Sequence, residues 1–354
     1  MLRFFYGIKM YLLFALFFNI DSLAISLDKA IASQKVRPLN GSVIVANDER
    51  ILYQKAAGLA DEKNPVELDH KFIIASVSKQ ITAALVLREH EKGTIDIDAP
   101  IGNYFPEIKM TWKDSVAVHH LLSHTSGIVA LNKPLKSIPG EKFAYSNLGY
   151  IMLGQLLERI HHKKYGEITQ ELFELCGMQN SLPKPANNLL EIKHQVNHLA
   201  QGYYEDKKRK MQLRTQFDNL AFNPTGGIIS NVFDLWQWNR CLHLDTLVLH
   251  KETLDRMLTP YCDRKYRLGN LGYGYGIHVT ETDGVIEIFH GGFIKGYISS
   301  LYYYPQAKIT VAILENKSLR GSGNRVYYVQ DLVRKIVRTY VQKSTMANQM
   351  MPLP

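Results

Sequence analysis

The stretch "FIIASVSKQITAALVLREHEKG" contains two groups that a buried helix does not need. Ser76 and Lys79 stand three positions apart in an apolar, alanine-rich run. On a helix that spacing puts both side chains on one face, one turn apart. A serine hydroxyl is a weak nucleophile until a base takes its proton. A lysine amine can be that base once desolvation or a neighbouring cation lowers its pKa. If the helix begins near Ser76, its N-terminal N–H groups and partial positive charge also favour a developing anion. By itself the pair is a weak signal, since an N-capping serine followed by an exposed lysine reads the same way.

Two later elements have the same character. In "FAYSNLGY", Tyr145 and Asn147 are two apart just before a helical pattern, and an extended segment would put them on one side. A tyrosine beside a lysine can relay protons to a leaving group, and an amide can orient a substrate or hold the lysine. The plainer alternative is a core tyrosine with Asn147 as a cap. In "IEIFHGGFIKGY", His290 ends a strand-like run and Gly291-Gly292 follow. Glycines there would let a substrate backbone lie against the strand edge, and the next backbone N–H, at Phe293, could donate to an oxyanion. The alternative is a turn between strands.

These residues need a frame. "SVIVANDERILYQKAAG" (42–58) reads as a hairpin around Asn47-Asp48. Ser76 to Lys92 reads as a helix that is apolar nearly all round and stops at Gly93, as a central, buried helix would. Residues 94–220 look mostly helical, with clear helices expected over 115–127 and 146–164. Past Pro224, Gly226 and Gly227 another helix starts, capped near Ser230 or Asn231. The period then changes. Two alternating runs join at Asp283-Gly284, a type I′ hairpin signal, and a second strand pair flanks Pro305. Residues 324–342 read as a final helix, and 343–354 as a loose tail. Strands at both ends and helices between predict an α+β fold of the α/β sandwich type. One antiparallel sheet comes from both termini and is flanked by terminal helices. A mostly helical lobe is inserted, with the site between lobes.

The three elements occur in the order Ser-x-x-Lys, Tyr-x-Asn, His-x-Gly. With "LLSHTSGI" (121–128), "PGEKFAYSNLGY" (139–150), "PTGGIISNVFDLWQW" (224–238) and "GYGYGI", the chain resembles the class C β-lactamase-related serine hydrolases, a group of penicillin-binding proteins, D-peptidases and esterases. The resemblance runs from about residue 28 to 340. It implies a β-lactamase/transpeptidase-like domain over 25–342, with an α/β lobe (25–93 and 225–342) and a helical lobe (94–224). It implies that Ser76 is acylated, with Lys79 as proton acceptor and Tyr145 sharing the proton transfers. Asn147 would bind the substrate flank. The backbone N–H groups of Ser76 and Phe293 would form the oxyanion hole, and His290 and Gly292 would occupy the third element. The reaction implied is two-step acyl transfer, with no metal and no cofactor.

One departure bears on the substrate. The third element is His-Gly-Gly, where β-lactamases of this group carry Lys-Thr-Gly, so the permanent charge for a β-lactam carboxylate and the middle hydroxyl are both missing. His-x-Gly is commoner among the D-peptidases and esterases, and Lys295, three residues past Gly292, could restore some of the charge. The sequence therefore predicts a hydrolase of esters or D-amino-acid amides. Peptidoglycan stem peptides are the substrate that best fits export. A small-ester carboxylesterase, a class C-like β-lactamase and a non-catalytic cell-wall-peptide binder are the alternatives.

The bulk numbers agree. The chain has 354 residues, 46% hydrophobic and 21% charged, enough for a sizeable core. Arg3 and Lys9 precede an apolar run from Met10 to Ile20, then "DSLA". This reads as a signal peptide over 1–24, hence a periplasmic or secreted protein. The run falls short of the roughly 20 residues a membrane span needs, so a membrane association is expected only if the segment is uncleaved. Cys176, Cys241 and Cys262 allow one disulfide at most, or three buried inert thiols. His119-His120 and His161-His162 are adjacent pairs and read as packing or surface groups, not metal ligands. Net charge is +9, densest at "EDKKRKMQLR" (205–214), which reads as a solvated loop. Nucleic-acid binding is not expected.

Overall fold

The structure is a computed structural model, and it describes residues 21–34, 37–245, 247–266, 268–321 and 326–350. An eight-stranded antiparallel sheet forms its centre. In spatial order the strands are Ile51–Ala57, Gly41–Ala46, Ile309–Glu315, Tyr297–Tyr304, Val285–Ile294, His278–Thr282, Gly269–Tyr273 and Cys262–Tyr266. Two strands from the front of the chain thus pair with six from its last third, as the change of period predicts. The hairpin at Asp283-Gly284 forms as read. Thr282 pairs with Val285, and both turn residues take the positive φ that a type I′ turn requires.

The sheet is buried on both faces, which explains why its middle strands read as continuous apolar runs. In Gly41–Ala46, Val43 and Val45 face one core, while Ile44 and Ala46 face the other. The first core is closed by the two terminal helices. Leu23, Leu27 and Ile31 come from a helix over 21–32, and Val329, Val333, Val337 and Val341 form one stripe of the helix Tyr328–Met350. Buried ion pairs tie that last helix and the bend at Arg37 to the sheet: Arg334 with Glu287, and Arg37 with Glu315, which also accepts from Gln330. The second core packs the central helix Ser78–Glu91 and the inserted helices against the opposite face. Gly93, with φ +76°, ends the central helix where the sequence says it should.

Several expectations change. The helix expected over 115–127 is only Val118–Leu122, because His124 and Gly127 take left-handed φ and turn the chain away. The region 94–220 also contains short strands, Tyr203–Glu205 and Met211–Leu213 among them. The basic run 205–214 is the exposed tip of that ribbon. The tail is not loose from 343 onward. The last helix continues to Met350, since nothing before Pro352 breaks it, and Ser344 and Thr345 return their hydroxyls to the carbonyls of Tyr340 and Val341. Cys176 and Cys241 form a disulfide. Cys262 is free, and burial pushes its thiol up to about 11, which makes it unreactive.

The apolar N-terminal segment up to residue 20 lies outside the described residues. A cut after Ala24 would remove Leu23, which is buried against the terminal helix layer. No described helix is long and apolar enough to cross a membrane.

Candidate active site

Ser76 does not open the central helix. It sits in a single 3-10 turn, Ala75–Val77, that runs directly into the helix at Ser78. Ala75 takes φ +47°, a conformation that costs a β-carbon-bearing residue about 1 kcal/mol or more. Packing holds it there. Ser299 donates its hydroxyl to the Ile74 carbonyl at 2.5 Å, and Ile74 donates its N–H to Ile228 at 2.9 Å. The sheet and the short strand Ile228–Ser230 therefore clamp the turn from two sides.

The turn brings the opening pair together. Lys79 Nζ lies 3.3 Å from Ser76 Oγ, and the Tyr145 hydroxyl lies 2.8 Å from the same oxygen. Lys79 is wholly buried and has no carboxylate partner among the described residues. Its other contacts are the carbonyl and hydroxyl of Thr225, at 2.7 and 2.6 Å, and the rings of Tyr145 and Tyr150. Burial drives its amine well below the usual lysine range, and Arg264 adds to the effect. A lysine whose neutral form is favoured in this way can accept a proton.

Asn147 is the first residue of the helix Asn147–His161, capped by Ser146, which accepts the Gly149 N–H. Its Oδ1 takes the Thr225 hydroxyl proton at 2.7 Å. That bond leaves a Thr225 lone pair for Lys79, so of the two uses foreseen for the amide, holding the lysine is the one visible here. Tyr145 is part exposed, and its aromatic ring rests on His124, centroids 4.2 Å apart. His124 Nδ1 accepts the Ser146 N–H, and its carbonyl accepts the Ala144 N–H. The histidine of "LLSHTSGI" thus fixes the backbone on both sides of Tyr145. Burial keeps its ring neutral, as an accepting Nδ1 requires.

The third element is split. Gly292 lies against the nucleophile turn: a β-carbon there would come within 2.4 Å of the Ile74 oxygen and 2.2 Å of Ser299 Oγ. Gly292→Ala is therefore expected to displace the turn and lower kcat/KM for an ester roughly 100-fold, which a rate assay on the soluble variant checks. Phe293 is 45% exposed beside it. His290 is 2% exposed, and both ring nitrogens are engaged, with the Tyr273 hydroxyl at 3.1 Å and the Gly291 carbonyl at 2.7 Å. Burial holds it well below the imidazole range, so it brings no charge to the site. Lys295 does not replace that charge; its amine lies over the Tyr204 ring.

Sequence reasoning passed over Thr225, His124 and Arg264. The first two lie inside motifs quoted for the resemblance, but nothing in their spacing shows what they touch. Arg264 comes from the edge strand Cys262–Tyr266 and has no motif. It helps line a cleft of about 590 Å³ that also includes Phe143 and Tyr261. A larger cleft, of about 800 Å³, takes in Asn223 and Pro224, and neither cleft is lined by Ser76, Lys79 or Tyr145.

Comparison with known proteins agrees with this geometry. The Beta-lactamase family model matches residues 30–334. Penicillin-binding protein 4* of Bacillus subtilis is 24% identical over 315 residues, covering 78% of this chain and 68% of that protein. Esterase EstB of Burkholderia gladioli is 43% identical over 122 residues, 31% of each chain. The chain thus spans only part of the length of these relatives. Among solved structures, D-amino acid amidase from Ochrobactrum anthropi superposes with a TM-score of 0.77 at 20% identity, over 91% of this chain and 99% of that one. The penicillin-binding protein homologue from Pyrococcus abyssi gives 0.73 at 26%, over 89% and 77%. A serine beside a buried lysine and a tyrosine, in this fold and with this match, places the chain in the beta-lactamase family of serine hydrolases.

Proposed function

We propose that the protein is an exported hydrolase that cleaves D-amino-acid amides or small esters through an acyl-enzyme on Ser76. The observation that carries this reading is the contact of one oxygen, Ser76 Oγ, with both Lys79 and Tyr145. Lys79, neutral, takes the Ser76 proton directly or through Tyr145 as Oγ bonds to the substrate carbonyl carbon. The oxyanion is held by the N–H groups of Ser76 and Phe293. As the carbon–leaving-group bond breaks, the proton returns through Tyr145 to the departing amine or alcohol. Water then repeats the sequence on the acyl-enzyme, losing its proton to the same unit and freeing Ser76.

The substrate reading rests on the third element. A neutral, buried His290 offers nothing to a β-lactam carboxylate. The amidase likeness and the esterase segment point to amide and ester acyl donors, with peptidoglycan stem peptides as the polymeric counterpart. The disulfide between Cys176 and Cys241 supports an oxidising compartment, hence export to the periplasm or beyond.

Initial rates on p-nitrophenyl acetate, D- and L-alanine p-nitroanilide and a chromogenic cephalosporin test the reading. The ester and the D-anilide should be turned over about 10-fold or more faster than the L-anilide and the cephalosporin. Cephalosporin turnover at the rate of a dedicated β-lactamase would sink it.

A further inference from the structure

Tyr145 is flanked by two basic side chains from different parts of the fold. Lys79 Nζ stands 4.8 Å from its ring centroid, and the Arg264 guanidinium carbon stands 5.2 Å from it. The same guanidinium lies 5.4 Å from the Phe143 ring, so it is stacked among the aromatics of the site. A neutral partner sets its direction. Arg264 Nη1 is 3.0 Å from His278 Nε2, which must accept, because guanidinium has only donors. Burial and Arg264 push His278 down to about 3, so the acceptor persists across the physiological range.

We propose that Arg264 is the positioning cation of the active site, bringing a permanent charge from the sheet's edge strand to the Lys79–Tyr145 pair. The inference rests on the reading of Ser76, Lys79 and Tyr145 as the acyl-transfer unit. A guanidinium cannot give up its proton, so Arg264 acts through its field. It disfavours a second positive charge on Lys79 and favours negative charge on Tyr145 as the proton moves through it. Among the described residues, the other titratable groups facing this unit are His124, His290, Tyr150 and Tyr273. All four are buried, and burial holds each in its neutral form. At the cleft rim stand Glu141, Lys142, Asp263 and Lys265, with opposite charges in equal number, and the neutral Cys262 thiol. Arg264 thus brings a permanent charge onto the proton-transfer pair.

The test is the pH profile of kcat/KM for p-nitrophenyl acetate, an uncharged ester, with wild type, Arg264→Ala, Arg264→Gln and Arg264→Lys. The acid limb reports loss of the proton from the Lys79–Tyr145 unit. Without the guanidinium Lys79 holds its proton more tightly. The limb should then move alkaline by about one pH unit, leaving the variants roughly 10-fold slower at pH values on the limb and closer to wild type on the plateau. Arg264→Lys should restore most of the shift. A merely structural residue would lower the rate by the same factor at every pH, and that result overturns the proposal, as does an unmoved limb. If Arg264→Ala does not fold, the comparison of Gln with Lys carries the test alone. A raised KM confined to a carboxylate-bearing ester, p-nitrophenyl hydrogen succinate, with the limb unmoved would make Arg264 a substrate-anion ligand and also overturn it. A wild type with no Ser76-dependent hydrolysis would fail at the step before, taking the acyl-transfer reading with it.

Discussion

Ser76→Ala should abolish hydrolysis of p-nitrophenyl acetate, with kcat falling by about 10⁴-fold or more. The variant keeps Lys79 and Tyr145 but has no oxygen between them to acylate. Its fold should survive. Ser76 is only half-buried, and the change removes two hydrogen bonds, each worth about 1 kcal/mol net. A thermal melt should therefore move by only a few degrees while the burst of p-nitrophenol disappears. Intact-mass analysis after an acid quench gives an independent reading, an acetyl adduct on wild type and none on the variant. Hydrolysis within a factor of ten of wild type would mean that water is activated directly and that Ser76 is not the nucleophile.

What the sequence made legible follows from the range over which its signals act. The Ser76–Lys79 spacing, the Asn231 cap and the Asp283-Gly284 hairpin are local, fixed by residues within one turn of each other. The origin of the sheet from both termini was legible because the hairpin over 42–58 and the alternating runs around Asp283-Gly284 mark strands at both ends of the chain. The 3-10 turn under Ser76 was not, because Ala75 has no residue-type signature of a left-handed conformation; Ser299 and Ile228, more than 150 positions away, impose it. Thr225 and Arg264 were hidden for the same reason. Each reaches the lysine or the tyrosine across a tertiary contact that no spacing records. The expected run of helix at 115–127 failed at its start because Ala117 is extended and pairs with Pro100, and at its end through backbone sign, since His124 with φ +58° looks like any other residue in a helical pattern. That break is useful to the site, because the turned chain puts the His124 ring under Tyr145.

Lys79→Met should lower kcat/KM by about 10³-fold or more and raise stability in the same step. The two effects have one cause. The Lys79 amine is wholly buried among neutral partners, and burial is the leading reason its native pKa lies well below the unfolded 10.5. Between those two values the unfolded chain holds a proton that the native state does not. Stability therefore rises with pH through that interval, and wild type carries the largest cost at its lower end. Methionine fills similar volume with no proton to lose, so its advantage should be greatest at neutral or mildly acidic pH, on the order of 1–2 kcal/mol, and shrink toward pH 10. Lys79→Arg is the opposite control. It keeps the charge and the hydrogen-bond donors but cannot act as a base, and it forces a permanent cation into the same space. It should be both inactive and less stable than wild type. Urea melts at three pH values beside ester assays separate the cases. A Lys79→Met protein that hydrolyses ester normally, or that gains nothing in stability at any pH, would show that this lysine is an ordinary structural cation. Ser76 would then need another base.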